Sequence, residues 1–367
     1  MNAAADVVVH KGRPVPRNYA HNPLIVYWEM TQACALACRH CRAEAMPKCH
    51  PNELTHEESR ELLRQIVSFG DPLPHLILTG GDPLERPDLY DLIDDARSLG
   101  LQVSITPSAT EALTADVICK LKNHGIQSLG LSLDGSNAAR HEAVRGVAGC
   151  FDWTIRAARA AAKAEMPIQI NTLVAQQTAD DLPAIYELLK TLTVMRWSLF
   201  FMIAVGRGKM LEEISPEESD RVMDWIYDVA KEAPFAVKTT EAPHYRRVAL
   251  KRMRGQHVSP DALHRMSVYN GLGIRDGHGI MFVSNTGDIC PAGFLPVPAG
   301  NVRTDKVPDI YRNSDLFRAL HEADRLLGKC GQCEYREICG GSRARAYAHT
   351  GNVLESDPFC PYVPAAF

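Results

Sequence analysis

Thr31-Gln32-Ala33-Cys34-Ala35-Leu36-Ala37-Cys38-Arg39-His40-Cys41 follows an apolar run, LIVYW at 24–28, and sets what the rest of the chain is built around. Three cysteines stand within eight residues in the spacing Cys-x3-Cys-x2-Cys. A loop that short can aim three thiolates at one point, as a cysteine-ligated iron–sulfur cluster requires. Three cysteines on a four-iron cube leave one iron without a protein ligand, open to a substrate or a cofactor. The alternative is a zinc knuckle, which wants a fourth Cys or His at knuckle spacing; His40 and His50 keep it open.

Outward from that loop, short β-rich runs alternate with helical stretches. The pattern predicts strands at 24–31, 75–79, 102–106, 128–133, 168–174 and 198–204. Helices are expected at 57–68, 88–99, 115–124, 153–164, 182–189 and 217–231. Thr55 before His56-Glu57-Glu58, and Thr114 before the helix that stops at Gly125, are N-cap signals. Six βα units in a row specify a parallel sheet with right-handed crossovers. Periodicity leaves a doubly wound sheet and a partial barrel both open. In either, the chemistry belongs at the C-terminal ends of the strands.

The 367 residues allow one large α/β domain plus a smaller one, and 46% apolar content fills a core. A net charge of −4 gives no electrostatic case for nucleic acid or an anionic membrane surface. No apolar run approaches the length of a membrane-spanning helix. The opening MNAAADVVVHKGRPVPR has no signal-peptide core, so a cytoplasmic location is expected. Eleven cysteines in such a place read as metal ligands rather than a disulfide framework.

The cysteine spacing, with His40 just before the last cysteine, resembles the signature of the radical S-adenosylmethionine (radical SAM) superfamily. Ala35 stands where many members have Asn. The resemblance implies a partial, TIM-like (β/α)6 barrel and S-adenosylmethionine held on the open iron. It also implies reductive cleavage of the sulfonium to a 5′-deoxyadenosyl radical, the hard chemistry being the cofactor's. A one-electron reductant such as flavodoxin or ferredoxin is expected with it. Thr79-Gly80-Gly81-Asp82-Pro83-Leu84 ends the second strand and resembles the family's Gly-Gly-Glu-Pro segment, with Asp82 for Glu. Its glycines let backbone approach a ligand closely, and Pro83 fixes the exit. Ser-Leu-Asp-Gly at 132–135 and the later Arg145-Gly146 also resemble family segments. Ser132, Asp134 and Arg145 are therefore expected around the cofactor, with Ser108, Asn171 on the ribose hydroxyls and Gly206 against the adenine.

Cysteines return at Cys290 and then as Cys330-x2-Cys333-x5-Cys339 with a remote Cys360. A compact triplet plus one remote ligand is iron–sulfur or zinc geometry, zinc preferring two pairs. The spacing resembles the SPASM/twitch-type C-terminal extensions, which hold one or two auxiliary clusters. Where their fuller form has a fourth cysteine, this chain has Arg343. One auxiliary 4Fe-4S cluster on Cys330, Cys333, Cys339 and Cys360 is expected, with Cys290 a spare or alternative ligand. Cys49, Cys119 and Cys150 read as ordinary residues. The domains expected are an arm at 1–22, the barrel at 23–235, and a linker with the auxiliary-cluster domain at 236–367.

The segments 339–351 and 357–362, with Pro16-Arg17-Asn18 and Trp28-Glu29-Met30-Thr31, resemble the radical SAM enzymes of alternative haem and d1-haem biosynthesis. That resemblance implies an iron tetrapyrrole whose carboxylate side chains are removed or oxidised. A radical SAM maturase of a ribosomal peptide is the second reading. A non-catalytic iron–sulfur carrier is the third, and a carrier needs no open iron. About twenty residues before the first strand leave no room for a winged-helix peptide-recognition domain, which favours a small molecule. Arginine's planar fork suits carboxylates. The candidates are Arg207, Arg246, Arg247, and Arg275 with His278, although 239–254 also reads as a solvated basic face.

Overall fold

Seven parallel strands cross the sheet in the order in which the chain makes them. They are β1 (Ile25–Glu29), β2 (His75–Thr79), β3 (Gln102–Ile105), β4 (Leu129–Ser132), β5 (Ile168–Val174), β6 (Arg196–Phe201) and β7 (Ala236–Thr240). The structure is a computed structural model that describes residues 17–255 and 271–367. Residues 1–16, most of the expected arm, lie outside the described residues.

A doubly wound sheet reverses its strand order at a switch point. Here β1 to β7 never reverse, a winding shared with (β/α) barrels, and right-handed crossovers then put the helices on one face. The helices are α1 (His56–Val67), α2 (Leu89–Ser98), α3 (Ala115–Asn123), α4 (Ala138–Arg145), α5 (Cys150–Lys163), α6 (Leu182–Lys190), α7 (Pro216–Glu232) and α8 (Tyr245–Gly255). β5 shows how the two faces divide. Ile168, Ile170 and Val174 are buried in the core with Leu182, Ile185 and Leu189 of α6, while Gln169, Asn171 and Leu173 alternate onto the other, half-open face. That helix-free face, here called the inner face, carries the polar residues that interest us.

Local signals account for several helix starts. Thr55 and Glu58 form a reciprocal capping box on α1, and Thr114 caps α3. α4 was not expected, because its eight residues bury little apolar surface. Its punctuation is nevertheless regular, with Asn137 as N-cap and Gly146 as a left-handed C-cap at φ 72°. β6 starts two residues before the expected strand, since Trp197, Leu199 and Phe201 supply the core-facing alternation.

The sheet also runs on across the boundary expected at residue 236. β7 pairs with β6 over five residues. On the opposite side, β9 (Gly279–Val283) lies parallel to β1, flanked by β8 (Arg275–Asp276). β10 (Asp288–Cys290) and β11 (Gly300–Asn301) continue it antiparallel. Short helices and turns from residue 307 to 350 follow, then an irregular tail. No helix among the described residues is long and apolar enough to cross a membrane.

Candidate functional site

The first cysteine loop leaves β1 and is fastened at several points. Glu53 accepts from Thr31 Oγ1 at 2.8 Å and from Gln32 N at 2.9 Å, and Cys34 N donates to Met46 O at 2.8 Å. Cys34 and Cys38 are buried with Leu36 and Ala45, and Val147 and Trp153 pack against them. Leu36 N donates to Cys34 Sγ at 3.3 Å and Ala45 N to Cys41 Sγ at 3.5 Å. N–H groups aimed at sulfur are one of the means by which a protein tunes an iron–sulfur cluster. Burial pushes the Cys34 and Cys38 thiols up from their ordinary value.

Beyond β6, Arg207 clamps this loop. Its Nε donates to Cys38 O at 2.9 Å and its Nη1 to Ala45 O at 3.0 Å. Gly206, at φ 54°, lies so close that a Cβ would stand 2.5 Å from Arg42 O. Backbone contact with the cysteine loop demands glycine there.

The glycines after β2 serve the same loop. A Cβ on Gly81 would lie 2.4 Å from Ala33 O, and one on Gly80 2.5 Å from Thr31 O. Gly81 N donates to Thr31 O and Asp82 N to Ala33 O, both at 2.7 Å. The close approach foreseen toward a ligand is, on this side, an approach to the chain itself. Asp82 Oδ1 accepts from Leu84 N at 3.1 Å, capping the turn that Pro83 opens, and from Ser108 N at 3.2 Å. Burial raises the Asp82 carboxyl to about 6. Ser108 Oγ donates to Gly81 O at 3.1 Å and lies 3.4 Å from Cys34 Sγ, so the expected Ser108 joins the cysteine loop to strand ends two and three.

On the inner face, register puts Ser132 beside Asn171, whose Oδ1 accepts from Gln169 Nε2 at 2.7 Å. Just past β4, Asp134 is buried against Arg145 Nη1 at 3.2 Å and 3.7 Å from His40 Nε2. Leu173 N donates to Asp134 Oδ1 at 2.8 Å. Burial raises the Asp134 carboxyl, but His40, Arg145, His141 and the Leu173 N–H outweigh it and leave the group below its usual value. Burial also holds His40 low, and His141 at about 4. At neutral pH the full charge facing Asp134 is therefore Arg145's. Two residues expected to grip the cofactor hold each other, next to the loop through Arg39 N to Arg145 O at 3.3 Å.

The second cysteine set is brought together from three segments. Cys330, Cys333, Cys339 and Cys360 line one cavity with His244, Lys329, Asp357 and Tyr362. Sulfur again receives N–H groups: Asp357 N to Cys330, Tyr335 N to Cys333 and Gly341 N to Cys339, each at 3.4 Å. Burial pushes Cys339 to about 12 and Cys360 to about 11. Among the described residues no three His, Cys, Asp or Glu side chains are drawn together as tightly as a single metal ion would hold them; these four thiols instead stand around a cavity. Arg343, at the missing fourth cysteine's place, is fully buried and directs Nη2 at Cys330 Sγ, 3.7 Å away. Cys290 is not part of this wall. It sits on β10 opposite Phe282, with Asp288, Glu29 and Arg42 as its charged surroundings.

The arginines offered as carboxylate anchors are committed elsewhere. Besides Arg207, Arg246 donates to Ile338 O at 3.1 Å, and Arg247 is paired with Asp220 at 2.6 Å. Arg275 donates to Gly273 O, Leu320 O and His321 O, and His278 Nδ1 lies 2.8 Å from Gly273 O. Chain carbonyls take N–H groups of Arg207, Arg246 and Arg275, and the Asp220 carboxylate takes those of Arg247, while Arg207 Nη2, Arg247 Nε and Arg275 Nε are buried without a hydrogen-bond partner. Nor is the start of α8 a solvated face, since Tyr245 and Arg247 are buried. Sequence reasoning missed Glu53, and it missed the joint made by Arg345. That side chain is fully buried and donates to Glu241 O at 2.9 Å and Met202 O at 3.0 Å, with Asp357 Oδ1 3.6 Å away. The available signal was an Arg-Ala-Arg-Ala helix start with no acidic partner on it.

The profile of the Radical SAM superfamily matches residues 28–189. AdoMet-dependent heme synthases of Methanosarcina barkeri and Oleidesulfovibrio alaskensis are each 37% identical, over 344 and 348 residues. The alignments cover 93% of this chain, and 97% and 87% of those proteins. Mycofactocin maturase MftC of Mycobacterium tuberculosis is 27% identical over 92% of this chain and 83% of its own. Among solved structures, Streptococcus suis SuiB bound to S-adenosylmethionine matches with a TM-score of 0.69 and 18% identity, over 93% of this chain and 78% of SuiB. The peptide-bound enzyme anSMEcpe, with AdoMet, gives 0.68 and 16%, over 92% and 94%. The chain belongs to the radical SAM superfamily, and its cofactors are that family's, S-adenosylmethionine and 4Fe-4S chemistry. Within it, the chain is similar over 93% of its length to the heme synthases.

Proposed function

We propose that this radical SAM enzyme acts in haem biosynthesis, removing or oxidising carboxylate side chains of an iron tetrapyrrole. The observation that carries the reading is 37% identity to an AdoMet-dependent heme synthase over 93% of this chain and 97% of that protein. The open sheet from β1 to β6 is read as the partial barrel at 23–235, after the arm at 1–22, and residues 236–367 as the auxiliary-cluster domain. Cys34, Cys38 and Cys41 hold the cofactor-binding cluster. Cys330, Cys333, Cys339 and Cys360, which ring a cavity with N–H donors on three of the sulfurs, hold a second. S-adenosylmethionine on its cluster supplies a one-electron cleavage that yields a hydrogen-abstracting radical.

The chain's own part is placement. Gly80, Gly81, Asp82 and Pro83, with Ser108, shape a ledge beside Cys34 that would hold the methionine end. Ser132 and Asn171 offer the ribose a polar strip on the inner face, and Gly206 and His40 border the loop. Asp134 and Arg145 brace that border from behind. A flavodoxin or ferredoxin supplies electrons.

The test is anaerobic turnover of the reconstituted enzyme with S-adenosylmethionine and iron coproporphyrin III. Carbon dioxide release, or a two-hydrogen mass loss, should rise in step with 5′-deoxyadenosine. Cofactor cleavage that porphyrin leaves at its uncoupled rate would sink the haem reading; stimulation by a peptide instead would put the maturase reading in its place.

A further inference from the structure

With Arg207, Arg246, Arg247 and Arg275 committed to the chain, a polyanionic substrate needs other cations. Two stand on the inner face of the sheet. Val237 is buried in the core, so Lys238 beside it on β7 turns to the helix-free side; buried Trp197 does the same for Arg196 on β6. Register pairs Ser198 with Lys238 and Arg196 with Ala236. The two cations are thus diagonal neighbours, two residues offset on adjacent strands.

Neither has an acidic partner among the described residues. Among the described residues Arg196 makes one long contact, Nη1 to Gln169 Oε1 at 3.4 Å, and Lys238 Nζ makes no hydrogen bond or ion pair. The next acid along the chain, Glu241, accepts from Ser342 Oγ at 2.8 Å and belongs to the Arg345 joint. Burial, and then the charge of Arg196, push Lys238 down to about 8. Like charges held together away from water are costly, and an anion between them offsets that cost. The same strip supplies amides, Gln169 in register with Arg196 and Asn171 with Ser198, so a carboxylate would find both charge and hydrogen-bond donors.

We propose that Lys238 and Arg196 form a carboxylate-binding subsite on the inner face that anchors a side-chain carboxylate of the substrate. This rests on the haem reading for the substrate's class and adds where the substrate is gripped.

The experiment titrates reconstituted full-length enzyme, without oxygen, with iron coproporphyrin III and separately with its tetramethyl ester, following the Soret band. Lys238→Met and Arg196→Met should each weaken binding of the acid about tenfold or more, as expected for a lost charge-assisted hydrogen bond. Their affinity for the ester should equal that of the wild type, and Lys238→Arg should recover most of the loss. Iron content and melting temperature report whether each variant is folded. Acid binding unchanged in both variants overturns the subsite and leaves the haem reading standing. Equal loss for acid and ester means a merely structural role and also overturns it. A wild-type enzyme that binds neither porphyrin overturns the haem reading, and the subsite with it.

Discussion

The two cysteine regions solve the same problem differently. The first is one loop of eight residues, local in sequence, and it becomes rigid only by borrowing from four strand ends: Gly81 after β2, Ser108 after β3, Arg145 beyond β4 and Arg207 beyond β6. The second draws four thiols from a short helix, a turn and the tail, and supplies much of its own wall. The first keeps three thiols and leaves one position open; the second has four and a buried Arg343 where a fifth would be. Openness comes with dependence on the sheet, and that suits a site where a cofactor must be placed against a substrate. Saturation comes with self-sufficiency, and a cluster on the proposed second ligand set would have no position left open.

Removing either ligand set gives the largest effect and tests the division directly. Cys34, Cys38 and Cys41 replaced together by Ala should leave about four irons of about eight per chain, in keeping with two cysteine-ligated cubes, and abolish cleavage of S-adenosylmethionine. Cys330 and Cys333 replaced by Ala should also leave about four irons, yet retain uncoupled cleavage. Iron analysis and 5′-deoxyadenosine by mass spectrometry decide. If the two variants lose cleavage equally, the contrast between the sites is false.

The next effect concerns how the first region is braced. Asp134 and Arg145 are both buried, so Arg145→Met strands a carboxylate, which costs about 3–5 kcal/mol. Denaturant melts of the apoprotein should show that loss, and Asp134→Asn together with Arg145→Met should recover much of it. Single variants of unchanged stability with weaker S-adenosylmethionine binding would make the pair a cofactor grip instead of a brace.

What sequence made legible follows the same contrast. The cysteine spacings, the six βα units and the caps on α1 and α3 are short-range patterns, and the structure has those strands and helices within a few residues. Arg207 could not be read correctly, because its partners Cys38 O and Ala45 O are more than 160 residues away. Nothing in the sequence marks a guanidinium as destined for carbonyls rather than for a ligand. β7 was missed for another reason. The strand AVKTT has one core residue, Val237, and its place is set by pairing with β6 and not by its own pattern. Lys238 went unnoticed with it.

A pH profile isolates one strand end of the first region. Burial raises the Asp82 carboxyl from 3.8 to about 6, so folding favours its protonated form. The stability it contributes is present below about pH 4 and is lost as pH rises through about 6. About two units correspond to about 3 kcal/mol by linkage. Asp82→Asn keeps an Oδ1 acceptor for Leu84 N and Ser108 N and removes the titration. Relative to wild type, the variant should therefore gain up to about 3 kcal/mol between pH 4 and pH 7 in urea melts. Parallel profiles would mean that Asp82 titrates normally.

The smallest effect tests the edge of the second region. Cys290 lies in β10, opposite Phe282, and is buried, with its thiol pushed to about 12 by burial and then by Asp288 and Glu29. It is absent from the cavity wall formed by Cys330, Cys333, Cys339 and Cys360. The geometry therefore makes it a small core residue, not a spare ligand. Cys290→Ala removes one buried sulfur and should cost about 1 kcal/mol through the lost packing. Iron content should stay at about eight per chain, and the absorbance of the clusters should not change. Serine at the same place should cost more, because its hydroxyl would be buried without an assured partner. If Cys290→Ala instead loses iron while the Cys330 and Cys333 variant keeps part of its second cluster, the ligand shell reaches into the sheet. The second region would then depend on β10, as the first depends on its strand ends.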